Sequence, residues 1–322
     1  METIVPLTEL VHYFNKRNRL ARGATGEDEF GIVDGRVQAR FRGRMLGTLF
    51  QPVVEQSGQV LGHEAYLQVL EGEGLGLPAH AVFLDARDDE ELVHLDRVAR
   101  TLHALNFLLE REQQGGWLSL NVHPQLIRAV RDHHGHVFET VLSRCGLTPE
   151  RIVLELTDDG FESLPRLAGA IAEYRERGYR VAIDNFGRHS SDLERLEMLA
   201  PDIVKLDRSL IGHAGHLSLA KRVMTDMSEE IHGLGLTVVS QCIENPLQLQ
   251  VARDAGADWL QGNLSNSELK ARADEFESGL DENEEDPLLL SQLDRLEEGL
   301  ESGLSDQVLY ALLGLGSQVK PV

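Results

Sequence analysis

The sequence predicts an α/β barrel of eight strands, and three observations predict it. First, six short apolar runs each end in a polar side chain. Trp117–Leu120 ends in Asn121, Ile152–Leu154 in Glu155, Val181–Ile183 in Asp184, Ile203-Val204 in Lys205, Thr237–Ser240 in Gln241, and Trp259-Leu260 in Gln261. Runs this short read as strands buried on both faces. Second, segments of helical spacing separate the runs, and parallel strands need such crossovers. Third, two further apolar runs stand before them, joined by the turn Gln56-Ser-Gly-Gln59, which makes that pair an antiparallel hairpin. Together they give eight strands, the number that closes a barrel. Parallel strands would bring their terminal polar groups to one rim, where such folds place their chemistry.

The elements follow in order. Leu7, Leu10, Val11 and Phe14 space an amphipathic helix. The basic run Lys16–Arg22 reads as its solvated end, and Gly23 to Gly35 as a loop. The hairpin strands fall within Leu46–Val69, and the Gly-rich stretch 71–80 is loop-like. Val98, Leu102, Leu105 and Leu109 keep helical spacing before the Asn121 strand. Leu126–Leu142 is helical, and its histidines (His133, His134, His136) match no metal motif. Leu167, Ile171 and Tyr174 space a helix ended by Gly178 in the manner of a C′ glycine. Leu193, Leu196 and Leu199 make a short helix stopped by Pro201. Val223, Met227 and Ile231 make the next, with Met224 and Met227 as core. A last crossover helix starts at Pro246.

Residues 274–286 are an acidic linker. Pro287 opens an amphipathic helix on Leu289, Leu293, Leu296 and Leu300, and a second apolar patch holds Val308, Leu309, Leu312 and Leu313. Packing back on the barrel and forming a partner or self-association hairpin both fit this pattern. The expected organisation is an N-terminal extension (1–45), the barrel (46–268), and an acidic linker with C-terminal helices (269–322).

Net charge is −22 over 322 residues, which excludes a general affinity for nucleic acid or an anionic membrane surface. Residues 274–301 carry twelve Asp/Glu against one Arg, half of that charge. The two cysteines, Cys145 and Cys242, suit neither a disulfide framework nor a metal motif. No signal-type apolar region or membrane-length run stands out. These features read as a soluble, cytoplasmic protein.

Glu64, Asn121, Glu155 and Asp184 are hard oxygen donors at strand ends, suited to Mg²⁺ or Mn²⁺. Lys205 stands ready to hold a water or a phosphate. Such a cation facing a phosphodiester would act as a Lewis acid and lower the pKa of a bound water.

These residues sit in an ordered set of motifs. They are Gln51-Pro-Val-Val, Gly62-His-Glu-Ala-Tyr-Leu, Leu120-Asn-Val-His-Pro124, Leu154-Glu-Leu-Thr-Asp158, Asp184-Asn-Phe-Gly187, Asp202-Ile-Val-Lys-Leu-Asp-Arg208, Ser240-Gln-Cys-Ile-Glu244 and Gln261-Gly262. From about Leu46 to Asn263 the chain resembles the EAL domain, the cyclic-di-GMP phosphodiesterase family. The resemblance implies a modified TIM (β/α)8 barrel whose first strand runs antiparallel. It implies Glu64, Asn121, Glu155 and Asp184 as metal ligands and Lys205 as the residue that positions the attacking water. It places Gln51, Gln68, Glu244 and Gln261 at ligand-binding positions.

Departures from the family pattern cluster at the site. Asn185 stands where the family has Asp, removing a charge from the second-metal site. Gln241 stands at a catalytic Glu and cannot accept a proton. Gln68 stands at an Arg that faces the ligand phosphate, so a charge-assisted bond is lost. Arg188-His189-Ser190 replaces the family's Thr-Gly-Tyr, in a loop that helps couple dimerisation to metal binding. His123 replaces a Ser, and Asp158 a loop-anchoring Glu. Loss of a general base costs ~10²–10⁴ in rate, and one Arg–phosphate contact about 1.5–3 kcal/mol.

The expectation is a degenerate EAL-type regulatory protein in cyclic-di-GMP signalling, without appreciable hydrolysis. It would act through protein contacts, with at most one Mg²⁺ or Mn²⁺ site. Cyclic-di-GMP binding, a regulatory protein partner and a homodimer are left open by the sequence. The alternative is a weakly active metal-dependent phosphodiesterase yielding pGpG.

Overall fold

The structure, a computed structural model, describes residues 6–22, 29–70, 79–110, 116–129, 136–157, 163–188, 193–214 and 218–263. The acidic linker and tail helices read from the sequence lie outside the described residues, as do His133, His134, Asp158, His189 and Ser190.

Ten strands form one sheet in the order β1-β2-β3-β10-β9-β8-β7-β6-β5-β4, and β3 also pairs with β4, which closes β3–β10 into a barrel. The eight strands expected for the barrel are β3–β10, and two further strands, β1 and β2, precede them. Both come from the stretch before Arg44, part of which reads as loop. The chain divides into two compact units. The first takes residues up to 52, 61–182 and 198–201, and the second takes 53–60, 183–197 and 202 onward.

In the first unit, helix α1 (Leu7–Arg22) buries Leu10, Val11 and Phe14. Asn15, 3% exposed, copies a strand partner: its Nδ2 donates to Phe30 O and its Oδ1 accepts from Phe30 N, both at 2.8 Å. Strands β1 (Phe30–Val33), β2 (Arg36–Phe41) and β3 (Arg44–Glu55) form an antiparallel meander. Both connections are two-residue turns with positive φ at each residue: Asp34 49° and Gly35 77°, then Arg42 49° and Gly43 80°. That is the primed turn whose twist matches the flanking strands.

Strand β4 (Val60–Leu70) runs parallel to β5 (Trp117–Asn121), and β5 parallel to β6 (Ile152–Thr157). Gly62 is required where it stands, because a Cβ there would lie 2.2 Å from the Trp117 ring. Helices α2 (Ala79–Leu84) and α3 (Asp89–Leu109) link β4 to β5. The Asp88 side chain caps α3 by accepting from Glu91 N, and three acids in the first turn face the helix dipole. A buried polar network ties α3 to the meander. Asn106 holds Val37 N and O, each at 2.9 Å, and His103 Nδ1 lies 2.8 Å from Thr48 Oγ1.

The segment read as one helix over Leu126–Leu142 contains α4 (Pro124–Ala129) and α5 (His136–Arg144). Helix α6 (Leu164–Glu176) ends at Gly178 with φ 90°, and Tyr179 N returns to Tyr174 O, a Schellman closure. Strand β7 (Arg180–Phe186) follows.

Helix α7 (Leu193–Leu199) occupies the stretch expected for it. In the second unit, β8 (Ile203–Leu206), β9 (Thr237–Ile243) and β10 (Trp259–Gly262) run parallel. The end of β3 lies antiparallel to β10, pairing Glu55 with Trp259, so β3 is the reversed strand. Helices α8 (Arg208–Ala214), α9 (Ser218–Gly233) and α10 (Pro246–Asp254) complete the unit. Met224, Met227 and Ile231 are buried in it, as core methionines should be. Among the described residues no helix is long and apolar enough to cross a membrane.

Candidate functional site

The first unit brings together four of the residues read from the sequence: Gln51 on β3, Glu64 on β4, Asn121 on β5 and Glu155 on β6. Glu64 on β4 and Glu155 on β6 are 2% and 3% exposed. Burying ionised carboxylates is costly unless polar groups surround them. Here neutral donors do so. Asn121 Nδ2 donates to Glu64 Oε1 at 2.9 Å, and Tyr66 Oη donates to Glu64 Oε2 at 2.9 Å. Ser119 Oγ donates to Glu155 Oε1. Asn121 stands opposite Glu155 in the β5–β6 register, and Ser119 opposite Glu64 in β4–β5. Gln51 enters through Tyr66, whose hydroxyl lies 3.3 Å from Gln51 Oε1. Gln68 is exposed near the end of β4.

The second unit brings together Asp184 and Gln241. Gln241 Nε2 donates to Asp184 Oδ1 at 2.7 Å and also reaches Leu206 O at 3.3 Å. Asn185 Nδ2 donates to Asp184 Oδ2 at 2.8 Å. Both carboxylate oxygens of Asp184 thus accept from amides. Lys205 on β8 is 2% exposed, and Gln261 on β10 likewise. Glu244 is exposed just past β9, where its backbone N–H donates to Gln248 Oε1 at 2.8 Å.

The backbone here is unusual. Asn185 and Cys242 each follow a site residue, and each has a left-handed conformation, φ 59° and 57°. Between Leu260 and Gly262 the β9–β10 register shifts, and a Cβ on Gly262 would stand 1.9 Å from Ile243 O. Glycine after Gln261 is therefore a packing requirement. Partial burial pushes the Cys242 thiol up, Arg208 and Lys205 pull it down, and Glu244 and Asp184 push it up again. A thiol held protonated is a poor nucleophile.

Glu64, Asn121 and Glu155 offer two buried carboxylates and a carboxamide on adjacent strands, a donor set that fits a hard divalent cation. Asn121 turns its N–H toward Glu64, so it would present its oxygen only after its amide rotates. Among the described residues no three His, Cys, Asp or Glu side chains gather as for a metal ion. Two residues given no role in the sequence reading, Tyr66 and Ser119, hold the two glutamates. Their signal was strand alternation, since Tyr66 shares Glu64's face of β4 and Ser119 shares Asn121's face of β5.

The family model described as the EAL domain matches residues 34–266. The EAL-domain protein YkuI of Bacillus subtilis is 32% identical over 133 residues, 40% of this chain and 33% of that protein. The probable cyclic di-GMP phosphodiesterase PdeB of Escherichia coli is 26% identical over 255 residues, 73% of this chain and 45% of that one. The chain thus spans less than half the length of these curated relatives. The structure of YkuI in complex with c-di-GMP and calcium aligns with a TM-score of 0.61 at 25% identity, over 72% of this chain and 60% of that one. A Klebsiella pneumoniae BlrP1 complex with manganese and cyclic-di-GMP aligns at 0.59 and 22% identity, over 70% and 56%, and shows the shared fold.

Proposed function

The chain belongs to the EAL domain family, and from that premise we propose that it is a regulatory module of cyclic-di-GMP signalling that has lost appreciable hydrolysis and acts through protein contacts. One observation carries this reading: both oxygens of Asp184 accept from the amides of Asn185 and Gln241. A carboxamide cannot take a proton from water, so position 241 has no general base to offer. Each amide also occupies a lone pair that a second cation would need. The complex of YkuI with c-di-GMP supports the choice of ligand.

Glu64, Asn121 and Glu155 are the residues that would hold a single cation in the first unit. Bound there, it would supply Lewis-acid polarisation of a phosphate oxygen. The chain's own contribution is to keep the two glutamates buried and oriented through Tyr66, Asn121 and Ser119. That preserved trio favours a second reading, a weakly active metal-dependent phosphodiesterase.

Incubation with cyclic-di-GMP and Mn²⁺ or Mg²⁺, followed for pGpG, separates the two readings. The expected result is no turnover above a Glu64→Ala control, with calorimetry reporting any binding of the dinucleotide. Turnover that the control abolishes would overturn the first reading in favour of the second.

A further inference from the structure

Asp96 and Arg100 stand one turn apart on α3, and both are buried, at 2% and 3% exposure. Arg100 Nη2 donates to Asp96 Oδ2 at 2.5 Å, and its guanidinium lies over the Phe138 ring of α5, 4.7 Å from the centroid. Apolar residues of similar size would pack α3 as well, because a buried ion pair repays its desolvation poorly. The pair therefore calls for a use that apolar residues could not serve. The other carboxylate oxygen supplies one: Asp96 Oδ1 accepts from the backbone N–H of His123 at 3.0 Å. His123 stands two residues past Asn121, the last residue of β5. Between them, Val122 N–H donates to Glu155 O at 2.9 Å. The first two N–H groups after Asn121 are thus held from two sides, one by β6 and one by α3.

We propose that Asp96 is a positioning residue for the candidate cation site. Through the His123 N–H it fixes the chain leaving β5, and so keeps Asn121 aimed at Glu64, where its Nδ2 donates to Oε1 at 2.9 Å. The proposal rests on the one-cation reading above. Arg100 has the supporting part. By engaging Oδ2 it fixes the rotation of the carboxylate and leaves Oδ1 toward His123. A carboxylate suits this place because both of its ends accept, so no rotation can turn a donor against the His123 N–H. Asp96 acts on Asn121 through the backbone alone, and all of these residues belong to the first unit.

The test is Mn²⁺ binding to the full chain, read by electron paramagnetic resonance without any substrate, with thermal melting of each variant alongside. Two double variants differ at one side chain only. Asp96→Asn with Arg100→Met removes the ion pair and keeps an oxygen for the His123 N–H. Asp96→Leu with Arg100→Met removes the ion pair and that acceptor together. Neither leaves a buried charge unpaired, so both are expected to fold. The Asn variant is expected to bind Mn²⁺ as wild type does, and the Leu variant ~10–100-fold more weakly, the usual effect of losing support behind a metal ligand. Equal binding by the two variants, with binding lost in Glu64→Ala, overturns the proposal while the one-cation reading stands. An Asn variant that binds as weakly as Glu64→Ala also overturns it, whether or not the Leu variant folds. Wild-type and Glu64→Ala chains that bind Mn²⁺ alike overturn the one-cation reading, and the proposal with it.

Discussion

Gln241 Nε2 lies 2.7 Å from Asp184 Oδ1, an amide donor against a carboxylate at the ends of β9 and β7. Replacing that donor by an acid reverses the sign of the contact. Two carboxylates this close cannot both ionise without a cation between them. Gln241→Glu is therefore expected to lower the melting temperature in metal-free buffer, with Mn²⁺ restoring it. A variant as stable as wild type without cation would mean that the amide does not hold Asp184.

The same contact predicts what repair should do. Gln68→Arg, Asn185→Asp and Gln241→Glu together would supply the guanidinium, second acid and proton acceptor that the family resemblance implies at these positions. The combined variant is expected to release pGpG from cyclic-di-GMP, with the general base alone contributing ~10²–10⁴ in rate. Chromatography of the nucleotide products checks this. A silent triple variant would move the defect away from these three positions.

Backbone strain gives a prediction of its own. Cys242 sits at φ 57°, in the left-handed region. A left-handed L residue costs roughly 1–2 kcal/mol. Cys242→Gly is expected to recover part of that as a higher urea midpoint. Asn185, at φ 59°, is a residue type that tolerates this region. Asn185→Val should lose about 1–2 kcal/mol, while Asn185→Asp keeps a residue type suited to this region but sets a second carboxylate against Asp184, so it should lose stability in metal-free buffer as Gln241→Glu does.

Much of this was legible in the sequence, for identifiable reasons. Strands β5–β10 announced themselves as short apolar runs because both of their faces are covered, and Gly178 marked its helix end because only glycine takes φ 90° freely. The meander was missed although Asp34-Gly35 is a strong hairpin signal. Its strand β2 alternates Arg36, Gln38 and Arg40 with the buried Val37, Ala39 and Phe41, so it lacks the continuous apolar run that marks β5–β10. Tyr66 and Ser119 were missed for a different reason. Each occupies an ordinary strand position, and its role lies in a partner on a neighbouring strand or two residues away, which local pattern does not report. The amide caps on Asp184 were half legible: the substitutions stood in the sequence, their convergence on one carboxylate did not.

Burial of His103 makes stability depend on pH. Its ring is fully enclosed, and desolvation pushes it down from its ordinary 6.5 to about 3. The unfolded chain takes up a proton near 6.5, while the folded chain resists until about pH 3. Stability is therefore expected to be flat from this source above pH 6.5 and to fall as pH drops through that window, by at most about 1.4 kcal/mol per unit. Urea midpoints between pH 7 and pH 5 measure the slope. His103→Gln should flatten it, and an unchanged slope would assign the effect to other groups.

Ser119 Oγ donates to the buried Glu155 from a position with no solvent exposure. Water has no route to replace that donor, so Ser119→Ala leaves the carboxylate short of one charge-assisted bond, worth about 1.5–3 kcal/mol. The expected result is a lower urea midpoint with an unchanged m-value, since the surface exposed on unfolding barely changes. Adding Glu155→Gln separates the causes. If the loss reflects an under-solvated charge, neutralising Glu155 in the Ala background recovers part of it; if it reflects a packing void left by the hydroxyl, the two losses add.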